Sequence, residues 1–351
     1  MFLKAIRKVI DGADLTRGEA RGVMQAIMRG ESTPAQVACY LVALRMKGET
    51  VEEITGSAEA MREAATMVIT DVDGLVDTAG TGGDGASTIN ISTAAALVAG
   101  GAGVMVAKHG NRGVSSKCGS ADVLEALGVT LLDDPKRQAE ILESVGFMFL
   151  FAPFHHKAMK HATEPRKELG LRTVFNVLGP LSNPAGARRQ VVGVYDEALV
   201  ETMARVLGEL GAEQALVFHG AGGLDEISTI GPTKIAEWTG SSVDVYQVQP
   251  ADFGIEPATL NDLAGGDSIH NAAAIRSIFA GEVGPQADVV ALNAGAAIYV
   301  SGAANDLEEG FKKARKAIDC GAAAQCLDAL VNATRRTSSV SYTHLTLPTK
   351  A

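Results

Sequence analysis

Asp77-Thr78-Ala79-Gly80-Thr81-Gly82-Gly83-Asp84-Gly85 is the stretch whose reading decides the fold. It follows a short apolar run, Leu75-Val76, and precedes Ser87-Thr88-Ile89-Asn90-Ile91-Ser92-Thr93 and an alanine-rich helical segment at 94–99. The order is strand, glycine-rich turn, hydroxyl-rich segment, helix. Glycine tolerates positive φ, so successive backbone N–H groups can face one point and form an anion nest. Ser92 and Thr93 fall where a helix N-terminus adds free N–H groups and its dipole. The turn therefore reads as a phosphate site. It is not a Walker A loop, because no Lys-Ser/Thr pair follows at the required offset. Polar residues rather than a helix follow Gly85, which argues against a dinucleotide fingerprint.

The same alternation continues along the chain. Apolar runs at 104–107, 147–151, 191–194, 215–218 and 289–292 read as strands, and 120–127, 199–210 and 269–279 as helices. This pattern predicts an α/β fold with a mostly parallel central sheet flanked by helices. The first 72 residues have a helical texture instead. Leu3, Ile6, Val9 and Ile10 form one apolar stripe, Thr16…Glu19 and Thr50…Glu53 fit capping boxes, and Pro34 suits a first helical position. Helices this short need a partner surface. The expected organisation is a small, mainly helical domain over 1–72, joined by part of 160–190, then a large α/β domain over 73–336. Residues 337–351 carry no helical period and read as a disordered or non-native tail.

Composition narrows the function classes. The 351 residues are 46% hydrophobic and only 5% aromatic, with 39 glycines, which suits tight α/β packing. A formal charge of −10 argues against a nucleic acid partner. No apolar run approaches a membrane span, and the N-terminus lacks a signal-peptide pattern. Four cysteines without a C-x-x-C pair fit reduced thiols, so a cytoplasmic location is expected.

Two further clusters carry chemistry. Lys108-His109-Gly110-Asn111-Arg112-Gly113-Val114-Ser115-Ser116-Lys117 follows an expected strand, where open α/β sheets bind ligands. Lys108, Arg112 and Lys117 offer positive charge to phosphate, and Ser115, Ser116 and Ser120 offer hydroxyls. Asp225-Glu226, on the glycine-rich loop after the run 215–218, suits Mg²⁺, which takes carboxylates together with substrate phosphates and water. Cys118 reads as a small, half-buried side chain.

These residues resemble the anthranilate phosphoribosyltransferase family of tryptophan biosynthesis. The matching stretches are GTGGDG at 80–85 with NISTA at 90–94, KHGNRGVSSKCGSADVLEALG at 108–128 and HHKAMKHATEPRKELGLRTVFNVLGPLSNPA at 155–185. GLDEISTIGPTKIAEW at 223–238 and a late pattern with NAAAI at 271–275 and DVVALNAGAAIYVSG at 288–302 complete the set. The resemblance runs from about residue 3 to 335. It implies a magnesium-dependent transfer of phosphoribosyl from 5-phosphoribosyl 1-diphosphate to the amine of anthranilate, releasing pyrophosphate, in a homodimer formed through the helical domain. By motif, it implies donor contacts from Gly80, Gly83, Asp84, Thr88, Asn90, Ile91, Ser92, Thr93, Lys108, His109, Gly110, Asn111, Arg112, Gly113, Val114, Ser115, Ser116 and Ser120. It places Mg²⁺ on Ser92, Asp225 and Glu226, and anthranilate on Gly80, Asn111 and Arg166. Gly80 is then expected to lack a side chain because both substrates approach it.

Arg166, with its planar fork, is the expected clamp for the anthranilate carboxylate. Asn111 is expected to position the amine. His109 has two readings: it takes the released proton, or it is a structural hydrogen-bonding histidine. Three positions depart from the family pattern. Gly113 stands where Ser or Ala is common, Cys118 where Ser is common, and Lys157 where Pro is common. Gly113 is expected to loosen its loop, and Lys157 to add positive charge beside the acceptor entry. A pyrimidine nucleoside phosphorylase shares a glycine-rich phosphate turn and is the rival enzyme. RKELGLRT at 166–173 and the Asp225-Glu226 pair speak against it. A nucleic acid-binding transferase homologue is the rival of another class, disfavoured by the net charge.

Overall fold

A computed structural model describes residues 2–113 and 117–335. Four helices open the chain: α1 Phe2–Ile10, α2 Arg17–Met28, α3 Pro34–Lys47 and α4 Val51–Glu63. Thr16, Thr33 and Thr50 each accept from the backbone three residues on, and Glu19, Gln36 and Glu53 return the bond. Strand β1 is Val76–Gly80, so the glycine-rich turn begins at a strand's C-terminal end. Then follow α5 Ile91–Gly101, β2 Val106–Gly110, α6 Ser120–Leu127, α7 Pro135–Val145 and β3 Phe147–Phe151. The middle of the chain carries α8 Ala152–His155, α9 Lys160–Leu169, α10 Phe175–Leu178, β4 Arg189–Gly193, α11 Leu199–Glu209 and β5 Gln214–Gly220. Two strands, β6 Thr233–Trp238 and β7 Val243–Val248, precede four helices, α12 Ser268–Phe279, α13 Pro285–Val300, α14 Leu307–Asp319 and α15 Ala322–Arg335.

The strands form one seven-stranded sheet in the order β3-β2-β1-β4-β5-β6-β7. The first five are parallel, and β6 and β7 add an antiparallel edge. Alternation along β5 divides the interior. Leu216 and Phe218 face a core shared with α5, α6, α7 and α12–α15. Ala215 and Val217 face a second core, shared with α1–α4, α9, α10 and α11. The opening helices thus pack into the same apolar layer that covers one face of the sheet.

Three expectations shift. The run 104–107 was expected as a strand, but β2 begins at Val106 and takes in Lys108, His109 and Gly110. The run 289–292 lies inside α13, a 16-residue helix buried almost all round, where a short apolar run carries no periodicity to separate helix from strand. The antiparallel pair β6 and β7 went unread. The tail at 337–351 lies outside the described residues.

Glu53 fastens the opening helices. Fully buried, it accepts from Leu15 N at 2.9 Å, Thr50 N at 2.8 Å and Lys47 Nζ at 2.9 Å. One carboxylate thus ties the α1–α2 connection, the end of α3 and the start of α4. Glu53→Ala is expected to destabilise the fold by about 2 kcal/mol, because it leaves two amides without their acceptor and takes one of two carboxylates from Lys47, which keeps Asp14. An unchanged thermal unfolding midpoint would refute the role.

Candidate active site

The chain reverses its direction of travel across the sheet between β1 and β4, which are neighbours. At such a switch point the loops leaving the two strands part and open a crevice at their C-terminal ends. The turn after β1 lies there. Gly82, Gly83 and Gly85 all have positive φ, as the nest requires. Thr81 anchors the turn to the end of β4: its N–H donates to Gly193 O at 2.9 Å, and its hydroxyl accepts from Tyr195 N at 3.0 Å.

The acidic loop after β5 closes on this turn. Asp225 Oδ2 accepts from Gly82 N at 2.8 Å, and Glu226 Oε1 accepts from Ser92 N at 3.1 Å. A Cβ on Gly80 would lie 2.8 Å from Asp225 Oδ2. A side chain there would crowd the Asp225 carboxylate, a reason for the bare position in addition to the expected approach of two substrates. Asn293 on α13 holds the loop from below: it accepts from Ile227 N and donates to Ile227 O, both at 2.9 Å.

The local electrostatics are tense. Burial, then the nearby Asp84 carboxylate, push Asp225 up to about 7. Burial and Asp225 raise Glu226 well above the carboxylate range. Lys108 is 1% exposed and reaches Thr78 O, Thr78 Oγ1 and, at 3.4 Å, Ser92 Oγ. Burial lowers its pKa, opposed by Asp77, Glu226 and Asp225. It lies beneath the acids as a counter-charge. A cavity of about 10 Å³, the size of a single water, is lined by Gly80, Ser92, Asp225, Glu226 and Asn293 among others. Among the described residues no three His, Cys, Asp or Glu side chains form a closed metal cage. Two carboxylates and a hydroxyl, all hard oxygen donors, suit Mg²⁺, which fills its remaining positions with water and substrate phosphate.

The other expected residues divide by burial. Ile91 and Thr93 are buried, so only their main chain, at the α5 N-terminus, can face a ligand. Gly83, Asp84, Thr88 and Asn90 lie between β1 and α5, and Ser120 opens α6. Asn111 and Arg112 are exposed after β2, with Gly113 beside them. Arg112 is engaged by acids, at 2.8 Å from Asp122 and 2.5 Å from Glu125. Val114, Ser115 and Ser116 lie outside the described residues. Gly113 donates its N–H to Asp122 at 2.9 Å, as does Gly119, so this departure is tied down rather than loose. Cys118 is buried rather than half-buried. Lys157 lies 3.5 Å from Asp133, so its charge has an acidic neighbour.

His109 is buried, and its Nδ1 lies 3.2 Å from Gly179 O. A carbonyl accepts, so Nδ1 carries the proton and Nε2 is left as a buried acceptor without a hydrogen-bond partner among the described residues. Burial, then His156, whose ring centroid is 5.1 Å away, and His155 hold the ring well below the usual histidine range, hence neutral. Arg166, half-buried on α9, stacks on Phe175 with its guanidinium carbon 5.0 Å from the ring centroid. Burial lowers its pKa, and it has no ion pair among the described residues.

A comparison with known proteins adds the family. Residues 3–65 match the helical bundle domain of a glycosyl transferase family, and 72–324 match its a/b domain. Anthranilate phosphoribosyltransferase from Acetivibrio thermocellus is 51% identical over 345 residues, which span 98% of this chain and 99% of the relative. The chain belongs to the anthranilate phosphoribosyltransferase family. Among solved structures, the enzyme from Thermus thermophilus superposes with a TM-score of 0.90 at 46% identity, covering 95% of this chain and 99% of that one. The Saccharomyces cerevisiae enzyme in complex with PRPP and Mg gives 0.87 at 28% identity, covering 95% and 97%.

One residue that the sequence left unassigned grips the turn from the opposite side. Arg172 donates to Gly83 O and stacks on Tyr195, 4.1 Å from its ring centroid. Its signal was within RKELGLRT, but nothing local links Arg172 to Gly83, 89 residues away. Arg172→Ala is expected to speed amide hydrogen exchange across residues 82–85 about tenfold, the worth of one charge-assisted bond. Unchanged exchange would show that the turn does not depend on this grip.

Proposed function

We infer that this enzyme transfers the phosphoribosyl group of 5-phosphoribosyl 1-diphosphate to the amine of anthranilate, giving N-(5-phosphoribosyl)anthranilate and pyrophosphate in tryptophan biosynthesis. The observation that carries the reading is the meeting of the glycine-rich turn, the α5 N-terminus and the half-buried pair Asp225 and Glu226 at one crevice. Loss of anthranilate fluorescence on incubation with the sugar diphosphate and Mg²⁺ tests it. No loss would overturn it.

Donor binding is assigned to the turn Gly80, Gly83 and Asp84, to Thr88 and Asn90, and to the main chain at Ile91, Ser92 and Thr93. The β2 end and the loop after it, from Lys108 to Ser116, and Ser120 complete the set. Ser92, Asp225 and Glu226 are the residues that would hold Mg²⁺. Bound there, the ion would neutralise charge on the departing diphosphate. The chain's own part is to present amides where that charge develops. Displacement at the anomeric carbon proceeds with positive charge on the sugar, as in glycoside chemistry. The amine of anthranilate is neutral at pH 7 and needs orientation more than a strong base.

Arg166 supplies a cation for the acceptor carboxylate, supported by its lack of an ion pair among the described residues. Asn111 and Gly80 complete the acceptor contacts. Of the two readings of His109, its burial, its neutral ring and the Nδ1 bond to Gly179 O support the structural one.

The division into domains at 72/73, with part of 160–190 joining the helical domain, is likewise proposed. It is supported by Ala162, Val174, Phe175 and Leu178 packing in the core of α1–α4. A homodimer through the helical domain is supported by Leu3, Ile10 and Met46, which are 55%, 61% and 83% exposed on α1 and α3. No helix among the described residues is long and apolar enough to cross a membrane. A cytoplasmic location is proposed from the thiols Cys39, Cys320 and Cys326, which form no disulfide.

Arg166→Ala is expected to raise the anthranilate KM about 100-fold, the scale of a lost charge-assisted clamp, and to leave the donor KM nearly unchanged. Equal loss for both substrates would refute the clamp. Replacing Asp225 and Glu226 together by Asn and Gln is expected to abolish Mg²⁺-dependent turnover. A double variant with normal metal response would sink that assignment.

A further inference from the structure

Asn90 is the N-cap residue of α5, yet its side chain makes no capping bond. Asparagine is among the strongest N-caps, because its oxygen takes a free N–H of the first turn. Here that oxygen is engaged elsewhere. Asn90 Oδ1 accepts from Asn271 Nδ2 at 2.8 Å and from Cys118 Sγ at 3.2 Å, and Asn90 Nδ2 donates to Cys118 O at 3.1 Å. Asn271 opens onto this contact from the first turn of α12, 181 residues away in sequence. It is 1% exposed, and its own oxygen is fixed by Gly266 N at 2.7 Å.

Asn271 ends a short strap, residues 263–271, that runs along the segment leading into α5. Ile89 N donates to Leu263 O at 3.0 Å and Gly265 N to Ser87 O at 2.8 Å, with a bridge between Thr88 and Ala264. Ser87 has φ 53°, the only positive φ at a non-glycine among the described residues. A Cβ on Gly265 would lie 2.4 Å from Thr88 O, so the strap can lie this close only with glycine there. The strap holds the incoming backbone in a conformation it would not choose, and Asn271 holds the cap side chain off its own helix.

We propose that Asn271 is a positioning residue for the sugar donor: together with Cys118 it holds the Asn90 side chain off the α5 N-terminus, so that Asn90 does not join Glu226, which already takes the Ser92 N–H, in competing with the donor's anionic oxygens for the first-turn N–H groups. The proposal rests on the reading of the α5 N-terminus as part of the donor site. Without Asn271, the Asn90 amide is held only by its contacts with Cys118, and turning back to cap its helix puts it in competition with the anion for the same donors. Such a variant loses donor affinity while its helix gains a cap, which a merely structural residue would not do.

The test is calorimetric titration of the full chain with the sugar diphosphate in Mg²⁺, alongside steady-state KM values and thermal unfolding. Asn271→Ala is expected to weaken donor binding about tenfold, the scale of one diverted hydrogen bond, with the anthranilate KM unchanged. Asn271→Asp keeps the acceptor for Gly266 N and removes the donor to Asn90, so it is expected to show the same donor-specific loss if the alanine variant fails to fold. Wild-type donor affinity in the folded variants, or equal losses for both substrates, would overturn the proposal. Failure of the wild-type protein to bind the donor would instead overturn the reading on which it rests.

Discussion

Two half-buried carboxylates set the terms for the rest of the site. Asp225 and Glu226 sit at the strand ends against Asp84, and burial disfavours their charge. Everything near them answers that cost. Lys108 lies beneath as a counter-ion, Gly82 and Ser92 donate their N–H groups, and Gly80 gives up a side chain to make room. In the proposed reading an anionic donor would meet the same two amides, and a divalent cation held by the acids would relieve the competition between carboxylate and donor.

The sheet explains why these groups meet. β1, β2, β4 and β5 are parallel, so their C-terminal ends and the loops that leave them share one edge. The chain reverses its lateral direction between β1 and β4, and the turn after β1 is free to lean toward the loop after β5. Buried polar side chains then fix each loop. Asn293 holds the acidic loop, Asn271 holds the entry to α5, and Asn183 donates to Asp77 at 2.8 Å below β1. Asparagine suits such work because one amide can both give and accept.

Much of this was legible in the sequence, and the limits have physical causes. The turn, the two capping boxes and the strand at 147–151 depend on neighbours within a few residues, so local pattern reveals them. The run at 289–292 failed because a helix buried all round shows no polar face. That error also hid Asn293, whose place under the acidic loop makes sense only once α13 is a helix. Lys108 read as a loop cation, but β2 runs on to Gly110, past the expected end at 107, and carries it inside. Arg172 and Asn271 act on residues 89 and 181 positions away, and no local window contains both partners.

The two substrates present opposite problems to the crevice, and the charges are divided accordingly. The donor brings phosphates to a wall that is already acidic, so metal and amides must dominate there. The acceptor brings one carboxylate and a neutral amine, and in the proposed reading Arg166, stacked on Phe175 without an acidic partner among the described residues, would supply its cation. An arginine left half-buried and uncompensated costs stability unless a ligand completes it. Segregation of charge, acids with metal at the strand ends and arginine on α9, is thus what would keep each substrate in its own half of the crevice while the anomeric carbon and the amine approach one another.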